Sequence, residues 1–194
     1  QGVPTDILVN NAGVFDRKDV TIDKVDFVMM EQTFAVNTLG PLRVTQALLP
    51  NLRASKRRTI VSISSQLGSI EKSDGRWYAY RASKAALNQI NKTLSAELAS
   101  EGLICVVLHP GWVRTDLGGK GATYSPQESV AGLIAVIENR GPTDNGSLRS
   151  IQIKRGGKTV DVLDVYDYLI NGDATHDVRL QNGDVPRLGF DIDF

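Results

Sequence analysis

The sequence predicts an α/β fold: a parallel sheet with flanking helices over residues 1–146, then a small α+β segment over 147–194. Three observations predict it. Short β-branched apolar runs alternate with long stretches whose hydrophobic residues recur every three or four positions. The runs end in turns such as Asn10-Asn11-Ala12-Gly13 and His109-Pro110-Gly111. The composition then shifts near residues 142–146, after which every acidic residue is Asp, and Trp, Met and Glu disappear.

The 194 residues, 41% hydrophobic and with a formal net charge of +0, suit one domain of ordinary size, or one domain plus a small module. That balance argues against a nucleic-acid binder or an acidic tail. The single cysteine, Cys105, lies in the apolar run Leu103-Ile104-Cys105-Val106-Val107-Leu108, so a buried core thiol is expected and an internal disulfide is not. No metal site is expected. No stretch approaches the ~18 apolar residues of a membrane span. No signal peptide is visible, which points to a cytoplasmic protein. The chain starts at Gln1 without an initiator Met, a few residues before a strand, as a piece of a longer protein would.

Residues 5–10 read as a buried parallel strand breaking into the Asn-Asn-Ala-Gly turn. Residues 23–55 carry a helical pattern through Val25, Val28, Met29, Phe34, Val36, Leu39, Leu42, Leu48 and Leu52. Pro41 removes a backbone donor within it, which predicts a kink near Asn37 and a freed carbonyl that can hold a water. Residues 58–64 form a β-branched strand ending in Ser64-Ser65, and a polar loop follows to Trp77. A helix over 79–100 would put Ala86, Ile90, Leu94 and Leu98 on its core stripe. A third strand, 103–108, runs into His109, for which a structural role is expected. Residues 112–125, with Gly118, Gly119 and Gly121, read as a mobile loop over a site. Ser125-Pro126 then caps a helix ending near Asn139. This alternation implies right-handed crossovers and a parallel sheet. Asn11, Ser65 and the Pro110-Gly111 turn would share the edge where open α/β sheets bind ligands.

Tyr80 and Lys84 open the helix of 79–100 four residues apart, so they lie on one helix face. Taken alone, this spacing more often marks a solvated face. An ammonium beside a phenol nonetheless favours the phenolate and is expected to lower the Tyr80 pKa, which suits acid–base chemistry on an alcohol or ketone.

Together these motifs resemble the short-chain dehydrogenase/reductase family, in its carbonyl-reductase-like branch. The resemblance rests on Asn10-Asn11-Ala12-Gly13, Asn37 in Phe-Ala-Val-Asn-Thr, Ser65 in Ser-Ile-Ser-Ser-Gln-Leu-Gly, Tyr80 with Lys84, and Pro110-Gly111-Trp112-Val113-Arg114-Thr115. It implies a partial Rossmann-type sheet and an NAD(P)-dependent oxidoreductase acting by hydride transfer. Tyr80 would be the general acid and base, and Ser65 would hydrogen-bond the same substrate oxygen. Lys84 would tune Tyr80 and hold the nicotinamide ribose, and Asn37 would hold a relay water. Asn11, Val113 and Thr115 would contact the cofactor together with Tyr80 and Lys84. The family's opening Gly-rich turn and its strands do not precede Gln1. The cofactor, NADP or NAD, is thus expected with its adenosine- and pyrophosphate-binding half outside this chain, and the strand of 5–10 with an exposed edge. The implied partners are a small carbonyl or alcohol substrate and, through helices 23–55 and 79–100, a second subunit in a homo-oligomer.

The segment 147–194 reads as a strand over 147–154, a turn at Arg155-Gly156-Gly157-Lys158, a returning strand over 159–163, a short helix over 164–170 and a strand over 177–180. It resembles the soluble-ligand-binding β-grasp module of polysaccharide-export proteins through Ile151-Gln152-Ile153-Lys154-Arg155-Gly156-Gly157-Lys158, Asp164-Val165-Tyr166-Asp167-Tyr168-Leu169, Gly172-Asp173 and 177–185. Pro186-Arg187-Leu188-Gly189 would break that module's last strand. Two readings therefore stand beside the enzyme. One is a glycan- or partner-binding module. The other is an inactive chimeric fragment joined at Asp144-Asn145-Gly146.

Overall fold

The computed structural model describes residues 3–138 and, as backbone, strands at 151–155, 158–163 and 184–188. Strands β1 (Ile7–Asn10), β2 (Thr59–Ile63) and β3 (Ile104–Leu108) form a parallel sheet in the order β1-β2-β3. Val61 is the pivot of the register, opposite Val9 on one side and Val106 on the other. The central strand β2 is buried along Thr59–Ser62, as its run of β-branched residues requires. Among the described residues β1 pairs with β2 alone, and Val9 is 46% exposed, as expected for an uncovered edge.

Helix α1 (Phe27–Phe34) continues through a π-turn (Ala35–Leu39) into α2 (Gly40–Ala54). The pattern read as helical from 23 starts later, because Asp26 caps α1 by accepting from the Val28 and Met29 amides at 2.9 and 3.2 Å. Residues 22–24 form a separate 3-10 turn. The irregularity expected near Asn37 is the π-turn itself. Pro41 cannot donate to the Asn37 carbonyl four residues earlier, and the helix widens to accommodate this.

Helix α3 (Tyr78–Leu98) buries Tyr80, Ser83, Lys84, Leu87, Asn91, Ser95 and Leu98. The expected stripe of Ala86, Ile90 and Leu94 is only half-buried. The fully covered face instead carries small and polar residues, which let α3 approach its neighbours closely. Thr38 shows the result: its hydroxyl donates to the Ser83 carbonyl at 2.8 Å. Beneath the sheet Leu8, Leu52, Ile60, Leu98, Leu103 and Cys105 form one apolar cluster. Cys105 is fully buried, as its sequence context predicts, and burial pushes its pKa up to about 12.

Helix α4 (Pro126–Glu138) begins with a capping box. The Ser125 hydroxyl accepts from the Glu128 amide at 3.2 Å, and the Glu128 carboxylate accepts from the Ser125 amide at 2.7 Å. The loop before it was expected to be mobile, yet it is tied to itself. Arg114 N donates to Tyr124 O at 2.8 Å, Tyr124 N to Trp112 O at 3.0 Å, and the Trp112 indole to Gly118 O at 2.8 Å.

In the tail, β4 (Ile151–Arg155) and β5 (Lys158–Leu163) form the expected hairpin, and β6 (Asp184–Leu188) pairs antiparallel with the other side of β4. The strand continues through Pro186, which sits opposite Ile153; among the described residues β6 is an edge strand, where a missing backbone donor is tolerated. The helix expected over 164–170, the strand over 177–180 and the join at 144–146 lie outside the described residues.

Candidate active site

The site is assembled where β1 and β2 end. At β2 the chain turns through Ser64 and Ser65. Ser64 stitches the strand in place: its amide donates to Leu108 O at 2.8 Å and its hydroxyl to the Asn88 side chain on α3 at 2.7 Å. Ser65 caps the 3-10 turn of 66–68 by accepting from the Leu67 amide at 3.1 Å. Gly68 then lies against α3 so closely that a Cβ there would sit 3.0 Å from the Lys84 backbone carbon. That approach brings Ser65 to the first turns of α3, where its hydroxyl acts on the Tyr80 phenol to lower its pKa.

Tyr80 is 7% exposed. Burial raises its pKa above that of an ordinary phenol, and the Ser65 hydroxyl pulls it partly back. The expectation that Lys84 would lower this pKa is thus reversed by desolvation. The Lys84 ammonium lies 5.7 Å from the Tyr80 ring centroid and donates instead to the Ile63 carbonyl at 2.8 Å. Its own burial pushes its pKa down to about 8. At neutral pH the pair is therefore a protonated phenol beside an ammonium that gives up its proton readily.

Asn37 is fully buried, and its side chain clasps the backbone after the Asn-Asn-Ala-Gly turn. The Val14 amide donates to Asn37 Oδ1 at 2.8 Å, and Asn37 Nδ2 donates to Val14 O at 2.9 Å and to Ser83 Oγ at 3.1 Å. The side chain is thus committed to the protein, and the Asn37 group left to suit a water relay is its main-chain carbonyl, to which Pro41 cannot donate. Gly13 faces the same spot: a Cβ on it would meet Asn37 Oδ1 at 3.5 Å and Lys84 Nζ at 3.7 Å. Its missing side chain leaves a cradle beside an ammonium whose other protons point away from Ile63. This is a donor set that fits sugar hydroxyls.

The structure therefore brings Ser65, Tyr80, Lys84 and Asn37 together. Asn11 is exposed at the end of β1, while its neighbour Asn10 is buried and donates to Thr45 at 3.3 Å. Val113 and Thr115 lie after β3 on the same edge, held by their own loop: Val113 bridges Tyr124, and Thr115 Oγ1 accepts from the Gly118 amide at 3.0 Å. His109 is neutral, its pKa pushed down to about 4 by desolvation, and its buried Nδ1 has no hydrogen-bond partner among the described residues. A groove of about 350 Å³ between α2 and α3, lined by Leu39, Leu42, Arg43, Leu49, Leu94 and Glu97 among others, shares no residue with this site.

Two residues were not legible beforehand. Phe15 stacks on the Tyr80 ring, with centroids 4.2 Å apart and planes at 26°. Asp19, 4% exposed, accepts from the Ala79 amide at the start of α3 at 2.7 Å. Neither belongs to a motif or periodicity, and each contact spans some sixty residues of chain.

The family model for the short chain dehydrogenases matches residues 3–123. The C-signal of Myxococcus xanthus is 46% identical over 144 residues, covering 74% of this chain and 86% of that protein. The 1-hydroxy-2-glutathionyl-2-methyl-3-butene dehydrogenase of Rhodococcus sp. (strain AD45) is 34% identical over 151 residues, covering 75% of this chain and 65% of that one. Among solved structures, the carbonyl reductase Sniffer of D. melanogaster matches with a TM-score of 0.71 at 37% identity, covering 74% of this chain and 62% of that one. An NADPH-bound carbonyl reductase from chicken fatty liver matches at 0.70 and 36%, covering 75% and 63%. The chain thus spans a little under two thirds of these dehydrogenase and reductase relatives. The tail's resemblance to a polysaccharide-export module draws no support from any of these matches.

Proposed function

This chain belongs to the short-chain dehydrogenase family, and on that premise we propose that residues 1–146 carry the proton-transfer half of an NAD(P)-dependent carbonyl reductase or alcohol dehydrogenase. The observation that carries this reading is the burial of Ser65, Tyr80 and Lys84 together, with Lys84 one helical turn from Tyr80. The nicotinamide, when bound, supplies or accepts the hydride. Ser65 and Tyr80 then present two hydroxyl donors to a single oxygen, where negative charge grows as a carbonyl is reduced. Tyr80, protonated at neutral pH, gives its proton to that oxygen. Lys84 holds the ribose hydroxyls at the Gly13 cradle and returns a proton to Tyr80. The Asn37 carbonyl positions a water for resupply. Asn11, Val113 and Thr115 line the same edge toward the cofactor. The NADPH-bound relative supports NADP, with NAD as the alternative.

The test is a fluorescence titration of the chain with NADPH and NADH, followed by carbonyl reduction, with Tyr80→Phe as control. Micromolar binding and turnover that vanishes in Tyr80→Phe are expected. An absence of binding at millimolar cofactor would overturn the reading for this chain.

A second reading, a signal rather than a catalyst, is supported by the 46% identity to the C-signal and by the 86% of that protein which the match covers. It expects no nicotinamide binding, and Tyr80→Phe without consequence. The enzyme reading extends to a cytoplasmic homo-oligomer whose subunits meet at the α2–α3 groove, where Arg43 and Glu97 offer opposite charges. Sedimentation equilibrium at two salt concentrations checks that contact.

A further inference from the structure

Helix α3 starts without a cap of its own. Its N-cap position is Trp77, in the left-handed region at φ +61, and Trp77 makes no side-chain hydrogen bond to the first turn. The cap arrives from the β1–α1 connection. The Asp19 carboxylate accepts from the Ala79 amide at 2.7 Å, and the Asp19 main-chain carbonyl accepts from the Trp77 amide at 3.0 Å. A carboxylate at a helix N-terminus also meets the positive end of the helix dipole. Four residues earlier, Phe15 stacks on Tyr80 and meets Trp77 edge-on, with ring centroids 5.5 Å apart at 87°. The near end of this connection is fixed in turn, since Asn37 clasps both backbone groups of Val14. Trp77, Ala79 and Tyr80 are thus all held by residues 14–19.

We propose that Asp19 is a positioning residue for Tyr80: it caps α3 from outside the helix and, with Phe15, sets the phenol against Ser65. The proposal rests on the reading of Tyr80 as proton donor. It assigns Asp19 no contact with substrate or cofactor. Its effect passes through the Ala79 amide, the backbone group immediately before Tyr80.

The test compares Asp19→Asn, which keeps an oxygen acceptor for Ala79, with Asp19→Ala, which does not, and with Phe15→Leu, which keeps apolar bulk and loses the stack. Three quantities are read: Ala79 amide exchange, the titration of the Tyr80 ring carbon (assigned with Tyr80→Phe), and kcat against KM. In Asp19→Ala the Ala79 amide should exchange about tenfold faster and kcat should fall about tenfold, with the cofactor KM changed by less than about twofold. The Tyr80 titration should move down toward that of an ordinary phenol. Asp19→Asn should keep the Ala79 protection and most of kcat, a rescue that loss of negative charge alone would not permit. Unchanged exchange and titration in Asp19→Ala, or an Asn variant indistinguishable from Ala, would overturn the proposal. If Asp19→Ala does not fold, Asp19→Asn and Phe15→Leu decide it, since Phe15→Leu must still shift the Tyr80 titration. If Tyr80→Phe turns over like the parent chain, the proton-donor reading fails by itself, while exchange and titration still report on the brace.

Discussion

Lys84 shows how far a single residue can be read from sequence. Its placement beside Tyr80 follows from helical geometry, because a spacing of four is local and survives any packing. Its charge state does not follow, because that depends on burial. The folded chain holds it at about 8, below the 10.5 of a free lysine. The cost of burying the ammonium is therefore fully present below about pH 8 and is relieved as pH rises toward the unfolded value, a window worth up to about 3 kcal/mol. Lys84→Met removes that cost. Its stability relative to the parent chain should be greatest near neutral pH and should decline as pH rises toward 10, as denaturant unfolding of both proteins would show. His109 carries the same sign in a more acidic window. Its folded pKa of about 4 lies below the usual 6.5, so stability is present above about 6.5 and drains as pH falls toward 4. His109→Gln should flatten that acid limb of the unfolding curve.

At the scale of the element, the strands and the helix starting at Asp26 follow from composition and caps, but the face that each helix buries does not. A hydrophobic stripe suffices when a helix lies on one neighbour. Helix α3 is covered on several sides, so Ser83, Asn91 and Ser95 go inside while Ile90 and Leu94 stay half-covered. The tightest of these contacts is the turn of 66–68. Gly68→Ala places a methyl 3.0 Å from Lys84 backbone and side-chain carbons at once, and neither can move without shifting α3. The variant should lose about 1–3 kcal/mol of stability, and cofactor-dependent turnover should fall more than stability alone explains, because Ser65 leaves Tyr80. Thermal unfolding and steady-state kinetics on the same preparation separate the two losses. The π-turn of 35–39 belongs to this scale as well: Pro41 announces an irregularity, and packing against the Val14 backbone decides its form.

For the whole molecule, the parallel sheet stands on one apolar cluster of residues distant in sequence. Leu52, fully buried there, should cost about 2–5 kcal/mol on substitution by Ala, readable as a shift in denaturant midpoint. Cys105 reports on the same cluster. Fully buried and with its thiol pushed up to about 12, it should resist alkylation in the native state and react only as the sheet opens. Its modification rate should then follow the denaturant unfolding curve of this part of the chain. A thiol that labels rapidly in native buffer would contradict the described packing.

The amino-acid sequence by itself determined the order of strands and helices up to residue 139, the parallel sheet they imply, the Tyr80–Lys84 spacing on one helix face, and Ser65 at the end of a strand. These are readable because hydrophobic period, turn chemistry and helical spacing act over a few residues. The tail hairpin was readable for the same reason, whereas the strand through Pro186 was not, since only sheet order reveals that it lies at an edge among the described strands. Tertiary structure alone decided that Asn37 spends its side chain on Val14, that Phe15 covers Tyr80, and that Asp19 caps a helix some sixty residues away. It alone decided the direction of the Tyr80 pKa, because desolvation depends on every neighbour that excludes water, and those neighbours are gathered from the whole chain.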